Sequence, residues 1–282
     1  MIGLGHSLLL AASKPLVPPF VGPLDAYAAD SLALWGLSYR LLTSYKGALF
    51  RVRRTGDDEM DIAAKSNGLF DLAALNGFVG ADPWWFSQFY DQTGNGIHLT
   101  YPASGQPRGA VDENELVHAY AETGPNDKAM ASAALSVAAT DTTHWTVGSS
   151  PSYATYGVKL YDGLRDVQRA SANAANTIYV DMNDPLTGTY ASMGANTGLY
   201  SLMMQVGADG NRLNIGTAVG TGTRASSAIT IQQVSVGGLY AGWNPLWAAN
   251  ATFYGGGLWV ADLGNAYADA IQAIGKELYF TQ

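Results

Sequence analysis

The chain has 282 residues, of which 48% are hydrophobic and 13% are charged, and its net charge is −8 with a pI near 4.8. About 25% of the residues in a typical soluble domain are charged, so uncharged polar residues must cover this surface, or other chains must bury it. The acidic balance argues against nucleic acid as a partner, because phosphate binding needs clustered Lys and Arg.

The chain has no cysteine, which excludes disulfide bonds and thiolate metal sites. This composition fits a protein made in a reducing cytoplasm. Nowhere do eighteen apolar residues follow one another, so we expect no membrane span. The length permits one large all-β domain or two ordinary domains.

The first 26 residues read as an extended N-terminal arm. Glycines and prolines occur along it and block both a helix and a central strand: Gly3, Gly5, Pro15, Pro18, Pro19 and Pro23. Residues 8–12 form a short apolar run, but the first basic residue, Lys14, follows that run, unlike in a signal peptide. We therefore predict a non-secreted chain whose arm docks its leucines on a neighbouring subunit.

Four elements are predicted between residues 35 and 90. Alternating apolar residues favour a strand at 35–41, and residues 48–54 read as a second strand. Residues 69–78 have the apolar spacing of a short helix, and residues 84–90 form a strand dense in aromatic side chains.

Arg51, Arg53 and Arg54 are the one basic cluster in the sequence. On a strand, Arg51 and Arg53 share a face while Arg54 lies opposite, so the three charges do not form one patch. We predict instead that they form salt bridges with acidic residues close by in sequence, namely Asp57, Asp58 and Asp61.

The second half of the chain is richer in strand signals. Residues 111–121 are compatible with a short helix, and residues 267–278 predict an amphipathic C-terminal helix with Ala270, Ile271, Ile274 and Leu278 on one stripe. Short strand segments separated by glycines are predicted at 177–180, 201–206, 213–219, 229–236, 251–254 and 258–263. This succession of short strands and glycine-rich turns predicts an all-β sandwich or jelly roll over residues 27–282.

A heptad at residues 90–96, with the sequence Tyr-Asp-Gln-Thr-Gly-Asn-Gly, has two explanations. As a ligand site, it would bind a sugar or an ion through Asp91, Gln92 and Asn95. As a structural turn, Asp91 and Asn95 would cap backbone N–H groups while the glycines supply positive φ angles. Turn chemistry explains every residue and is preferred. A calcium site needs several oxygen ligands at regular spacing, so no metal is predicted.

Aromatic side chains around the heptad suggest a platform for a sugar. Adjacent tryptophans on a strand point to opposite faces, so at most one of Trp84 and Trp85 lies in the core. The other lies in an interface or a ligand site, and the low charge of the chain favours the interface. The predicted glycan-binding set is Trp84, Trp85, Tyr90, Asp91, Asn95 and Tyr101.

The sequence contains none of the common metal-binding, serine hydrolase or nucleotide-binding motifs. The four histidines are dispersed and show no H-E-x-x-H spacing, and no serine lies in a G-x-S-x-G elbow. No G-x-G-x-x-G follows a strand and opens a helix. We predict no cofactor.

Several short motifs occur in the order seen in arabinofuranosidase B-type catalytic domains: Tyr39-Arg40, Tyr45-Lys46-Gly47, Arg51-Val52-Arg53-Arg54, Asp61-Ile62, Asp71 and the heptad. The same signature resembles that of bacteriophage structural proteins. A glycine-rich strand at 255–263 followed by a helix is similar to the end of those domains. The resemblance implies a concanavalin A-like β-sandwich with short helices, an N-terminal arm and a C-terminal helix.

The catalytic pair of the resembled family has no counterpart. A retaining glycosidase needs two carboxylates about 5–5.5 Å apart, and the nucleophile of the family is a glutamate in the middle of the domain. Here no glutamate occurs between Glu122 and Glu277, and the family's cysteines are absent. We therefore predict no catalytic residues.

These observations predict a non-enzymatic bacteriophage virion protein of the tail, fibre or surface decoration. It would bind other virion proteins through its arm, form a homo-oligomer and contact host glycan, without binding nucleic acid or membrane. The alternative is an arabinofuranosidase-type glycoside hydrolase acting on host polysaccharide, with an acid pair among Asp162, Asp166, Asp181 and Asp184. A free lectin module is the third hypothesis.

Overall fold

The computed structural model describes residues 18–101, 103–122, 130–150, 160–161, 168–172, 178–182, 198–207, 210–215, 218–222, 229–231, 233–236 and 251–280. These ranges contain the helices α1 (Leu72–Val79) and α2 (Gly264–Phe280). The strands are β1 (Ser31–Gly36), β2 (Ala48–Arg54), β3 (Glu59–Ala63), β4 (Trp84–Phe89), β5 (Leu99–Thr100), β6 (Arg108–Val111), β7 (Val117–Tyr120), β8 (Met130–Ala131), β9 (Val137–Ala139), β10 (Thr142–Ser150), β11 (Leu160–Tyr161), β12 (Gln168–Ala172), β13 (Ile178–Met182), β14 (Gly198–Gly207), β15 (Gly210–Ile215), β16 (Ala218–Gly222), β17 (Ile229–Ile231), β18 (Ser235–Val236) and β19 (Thr252–Trp259).

Most of these strands belong to one antiparallel sheet that folds over on itself. Its central order is β4-β6-β7-β19-β10-β14, with β2 also pairing with β4 and β1 with β19. Three strand spacings separate β4 from β19, which is about 14 Å in a flat sheet. Yet the rings of Phe89 on β4 and Phe253 on β19 stack with centroids 5.6 Å apart. The two halves of the sheet therefore face each other, and the predicted all-β sandwich is confirmed.

Two hydrophobic clusters are formed by the residues that the structure describes. The larger lies between the halves of the sheet and contains the fully buried Trp35, Phe50 and Phe86. The smaller lies on the outer side of β1, β10 and β19, where α2 covers them, and contains Trp145, Trp259 and Tyr279. Strand β1 divides its side chains between the two clusters, because successive residues of a strand point to opposite faces.

The predicted C-terminal helix is confirmed, but its buried stripe is rotated from the predicted one. Ile271 is buried, whereas Ala270, Ile274 and Leu278 are only partly buried. The other buried positions are Ala268, Gln272, Gly275 and Tyr279. A Cβ atom at Gly275 would lie 2.6 Å from Ser201 Oγ and 2.9 Å from Trp145 Nε1. This glycine brings the helix close to the sheet, which a count of large apolar residues does not reveal.

Predictions for the first ninety residues agree well with the fold. The strand at 48–54 is β2, the helix at 69–78 is α1 and the aromatic strand is β4. The strand predicted at 35–41 lies earlier, as β1, and the chain leaves the sheet after Gly36. The segments 251–254 and 258–263, predicted as two strands, meet in the single strand β19, which ends at Trp259, because the glycines between them pack inside the sheet.

The predicted helix at 111–121 is wrong. Strands β6 and β7 form an antiparallel hairpin there, with Val111 opposite Val117. The Asp112 carboxylate accepts hydrogen bonds from the backbone N–H groups of Asn114 and Leu116, each at 2.9 Å. This turn closure outweighs the helix-like composition of the segment, because Asp binds nearby backbone in turns.

Part of the predicted N-terminal arm packs on the sandwich. Leu24 is fully buried and donates its backbone N–H to the Leu41 carbonyl at 3.0 Å. Residues 1–17 lie outside the described residues, and their docking on a neighbouring subunit stays a prediction. In the part of the chain that the structure describes, no helix is long and apolar enough to cross a membrane.

Candidate functional site

The heptad, residues 90–96, follows β4 in the chain and forms hydrogen bonds with β1. Asp91 is 1% exposed. Its Oδ1 accepts hydrogen bonds from the backbone N–H groups of Leu34 at 3.1 Å and Thr93 at 2.9 Å. Its Oδ2 accepts one from the N–H of Ile97 at 3.2 Å. Asp91 therefore holds three backbone segments together inside the protein.

Gln92 does the same for the chain that follows β1. Its Oε1 accepts the N–H of Leu41 at 2.7 Å, and its Nε2 donates to the carbonyls of Gly36 at 3.2 Å and Tyr39 at 3.1 Å. Every polar atom of this buried amide group thus has a backbone partner, as a buried amide requires.

The remaining heptad residues complete the turn. Gly94 and Gly96 have φ angles of +92° and +74°, which favour glycine. Asn95 donates its Nδ2 to the carbonyls of Ser31 at 3.1 Å and Leu32 at 3.0 Å, so it binds carbonyl groups and not the predicted N–H groups. The structural explanation of the heptad is confirmed for Asp91 and the glycines and corrected for Asn95.

The two adjacent tryptophans point to opposite faces of β4, as predicted. Trp84 is 8% exposed and packs in the core over Gly109, where a Cβ atom would overlap its ring. Trp85 is only partly buried, and the Arg53 guanidinium lies 5.0 Å from its ring centroid. Trp85 therefore faces outward and is fixed from one side by a cation–π contact.

The predicted salt bridges of the arginine cluster are confirmed. Arg51 binds Asp61 through Nε at 2.6 Å and Nη2 at 3.1 Å. Arg53 and Arg54 bind Asp57 and Asp58 at 2.8 and 2.6 Å.

Tyr90 of the heptad joins the Arg51–Asp61 pair by donating its hydroxyl to Asp61 Oδ1 at 2.7 Å. The hydrogen bonds from Arg51 and Tyr90 lower the pKa of Asp61. Burial, followed by the bond to Asp61, raises the pKa of Tyr90 to about 12. At neutral pH, the three side chains therefore form one network of a guanidinium, a carboxylate and a neutral phenol.

Cross-strand pairing places a row of side chains on the outer face of this half of the sheet. Arg53 lies opposite Glu59 on β3 and Trp85 on β4. Trp85 lies opposite Arg108 on β6, and Arg108 lies opposite Tyr120 on β7. We call these five residues the outer row. A second row beside it consists of Asp61, Arg51, Gln88 and Thr100.

A separate polar cluster lies under α2. Tyr254 on β19 donates its hydroxyl to Asp112 Oδ2 at 3.0 Å, and the His118 ring lies 5.1 Å from the Tyr254 ring. Burial lowers the pKa of His118 and raises that of Tyr254. Sequence reasoning missed this contact because it predicted a helix at 111–121, whereas Asp112 contacts Tyr254 from the turn of a hairpin.

The six residues of the predicted glycan-binding set do not form one surface. Trp85 and Tyr90 share the outer face, whereas Trp84 and Asp91 are buried and Tyr101 packs partly against the main core. Asn95 holds the start of β1. Glycan binding by the set stays a prediction. Among the described residues, no group of three or more His, Asp or Glu is placed to hold a metal ion.

Comparison with known proteins relates the chain to arabinofuranosidases. The sequence model of the family described as "Alpha-L-arabinofuranosidase B, catalytic" matches residues 23–150. A probable alpha-L-arabinofuranosidase B of Aspergillus flavus is 34% identical over 104 residues, which are 35% of this chain and 20% of that protein. The alpha-L-arabinofuranosidase B of Aspergillus kawachii is 32% identical over 89 residues, 30% of this chain and 18% of that protein. The matched part is thus about a fifth of these relatives.

Solved structures agree in fold over most of the chain. A GH54 α-L-arabinofuranosidase soaked with a cyclic sulfate inhibitor superposes with a TM-score of 0.69 at 17% identity, covering 92% of this chain and 65% of that one. An arabinofuranosidase complexed with arabinofuranosyl-alpha-1,2-xylobiose gives 0.67 at 18% identity, covering 92% and 64%. Together with the family match, these neighbours support an arabinofuranosidase-type domain.

These matches correct the functional prediction. A non-enzymatic bacteriophage protein in the tail, fibre or surface of a virion is overturned, because the relatives bear the names of fungal arabinofuranosidases and the matched family model describes a catalytic domain. The predicted localisation in a virion is wrong for the same reason. Burial of the uncharged surface by other subunits stays a prediction, although within the described residues β10 and β19 are buried along almost their whole length.

Proposed function

We propose that the chain is an arabinofuranosidase-type glycoside hydrolase that releases arabinose from α-L-arabinofuranosides. The observation that carries this proposal is the coincidence of two matches. The family model covers residues 23–150, and the fold extends the likeness to arabinofuranosidases over 92% of the chain. The substrate class follows from the names of those relatives.

The chemistry requires two carboxylates on either side of the scissile bond, about 5–5.5 Å apart for retention or 6.5–9.5 Å apart for inversion. Several carboxylates in the described part of the matched segment have other roles. Asp91 binds backbone N–H groups, Asp61 binds Arg51 and Asp112 closes a hairpin. Because no glutamate lies between residues 122 and 277, an acid from that stretch must be an aspartate.

The candidate acids in that stretch are those that the sequence indicates: Asp162, Asp166, Asp181 and Asp184. Their side chains lie outside what the structure describes, so their assignment rests on the sequence and on the demand of the reaction. One of them would protonate the leaving oxygen, and another would act as the nucleophile or activate water.

Hydrolysis of 4-nitrophenyl α-L-arabinofuranoside by the whole chain tests the proposal. We expect turnover that falls at least about a hundredfold when the general acid or its partner is changed from Asp to Asn. Four single variants at the candidate positions identify the pair, and Asp82→Asn, at an exposed position after α1, is the matched control. A folded chain that releases no nitrophenol contradicts the proposal.

A further inference from the structure

The outer face of β3, β2, β4, β6 and β7 has the features of a binding surface. The outer row crosses five strands, which span about 19 Å at the usual spacing between strands. None of its residues (Glu59, Arg53, Trp85, Arg108, Tyr120) is buried, and the same holds for the second row beside it. The other half of the same sheet is covered by α2.

Each side chain of the outer row ends in a planar group, and the two arginines are held in place. Arg53 is fixed by Asp57 at 2.8 Å and by Gln106 at 2.9 Å, and its guanidinium in turn contacts the Trp85 ring. Arg108 is paired with Glu122. Groups that are already positioned lose little conformational entropy when a ligand binds.

The charges of this face indicate which class of ligand it fits. Three guanidinium groups, of Arg51, Arg53 and Arg108, are paired with four carboxylates, of Asp61, Glu59, Asp57 and Glu122. The positive charge is therefore compensated within the protein, so an anionic polymer gains little from binding here. A neutral ligand with many hydroxyl groups can use the same groups as hydrogen-bond donors and acceptors.

We infer that this face binds a neutral polysaccharide chain, with the outer row as its track and Trp85 at its centre. Sugar rings present an apolar C–H face, which suits the negative face of an aromatic ring, and Trp85 and Tyr120 supply such rings. Hydroxyl groups of the sugar reach the paired guanidinium and carboxylate groups and the amide of Gln88. For its substrate class, this inference rests on the proposed function, but it requires no hydrolysis.

Affinity electrophoresis in gels that contain soluble arabinoxylan tests the inference. We expect the chain to be retarded by this neutral polymer, and Trp85→Ala to weaken binding about tenfold, the loss typical of a central interface aromatic. Gln88→Ala, which removes a smaller side chain from the same face, should weaken binding less. Tyr267→Ala is the matched control, because Tyr267 is an aromatic residue on α2 that is 52% exposed.

The possible outcomes separate this inference from the proposed function. Retardation without hydrolysis rejects the proposed function alone, whereas hydrolysis without retardation rejects the binding surface. Retardation by polygalacturonate and not by arabinoxylan overturns the neutral class of ligand. Unchanged affinity in both Trp85→Ala and Gln88→Ala overturns the location, and thermal melting of each variant shows that the fold is intact.

Discussion

The two halves of the sheet differ most on their outer faces. Around β1, β19 and β10, α2 covers the outer side, and three consecutive glycines, Gly255, Gly256 and Gly257, lie in β19. A Cβ atom at Gly255 would approach the Trp35 carbonyl to 2.7 Å, and one at Gly257 would approach Leu34 Cδ2 to 2.5 Å. Around β2 and β4, the outer side bears paired charges and Trp85.

Neighbouring strands of one sheet thus differ in composition according to what lies above them. In the covered half, large buried rings need room and hydrogen-bond partners: Trp145 donates to Ser201 Oγ at 3.1 Å, and Trp259 donates to the Tyr27 carbonyl at 2.7 Å. In the open half, each guanidinium group forms a salt bridge with a carboxylate.

The largest effect is expected where α2 meets the sheet. Tyr279→Ala removes a fully buried ring that contacts Tyr39 and Tyr254 at centroid distances of 5.2 and 5.7 Å. We expect a loss of about 3–5 kcal/mol in the free energy of unfolding, as for other large core truncations, measured by chemical denaturation. Tyr267→Ala on the exposed side of α2 removes only an edge-to-face contact with Tyr27 at 5.4 Å and should cost about 0.5–1.5 kcal/mol. Equal losses would show that α2 is not anchored by its buried stripe.

The next effect concerns the heptad, which lies between the two halves. Asp91→Ala deprives the backbone N–H groups of Leu34, Thr93 and Ile97 of their acceptor. Since an unsatisfied buried group costs about 1–3 kcal/mol, we expect a total loss of about 3 kcal/mol by denaturation. Asp82→Ala, at an exposed position, serves as the control. A loss below about 1 kcal/mol would mean that the heptad does not hold β1.

On the open half, the Arg51–Asp61 pair should contribute less, and in a pH-dependent way. Arg51 lowers the pKa of Asp61 in the folded protein, so the pair stabilises above the unfolded pKa of about 3.9. Its contribution is lost as the pH falls through the lower, folded pKa. Because the Asp61 side chain is 45% exposed, we expect Asp61→Asn to cost at most about 1 kcal/mol at pH 7.

Denaturation of Asp61→Asn and the parent chain at several pH values checks this sign. The difference in unfolding free energy should shrink as the solution is acidified below about pH 4. It should also shrink in high salt, which screens exposed charges. A difference that grows on acidification would contradict the assignment of Asp61 as the ionised partner of Arg51.

Local patterns predicted the open half better than the covered half. The Arg–Asp pairs follow from a strand and the turn after it, because Arg53 and Arg54 are four residues from Asp57 and Asp58. The heptad is local only in its glycines and in the bond from Thr93 to Asp91, since its bonds to Leu34 and Leu41 join segments more than fifty residues apart. The outer row is different, since Glu59, Trp85 and Tyr120 come together only through strand register, which the sequence alone does not specify.

The covered half depends on contacts between distant segments. Tyr254 and Asp112 are 142 residues apart in the chain and meet only because β7 and β19 are neighbours in the sheet. Glycines misled the prediction twice. The glycines of β19 read as a break between two strands, and Gly275 lies outside the predicted apolar stripe of α2. In both elements, however, a glycine leaves room for a large aromatic ring.

The smallest effect is expected at the hydroxyl of Tyr279, which is buried and has no hydrogen-bond partner within the described part of the protein. Tyr279→Phe removes a polar atom that gains nothing in the folded state, so we expect unchanged or slightly increased stability. Tyr254→Phe is the matched control in the same cluster, because it removes a hydroxyl that donates to Asp112 at 3.0 Å, and it should cost about 1–2 kcal/mol. If denaturation shows equal losses for the two variants, the hydroxyl of Tyr279 also has a hydrogen-bond partner, and the reason given for its small effect is wrong.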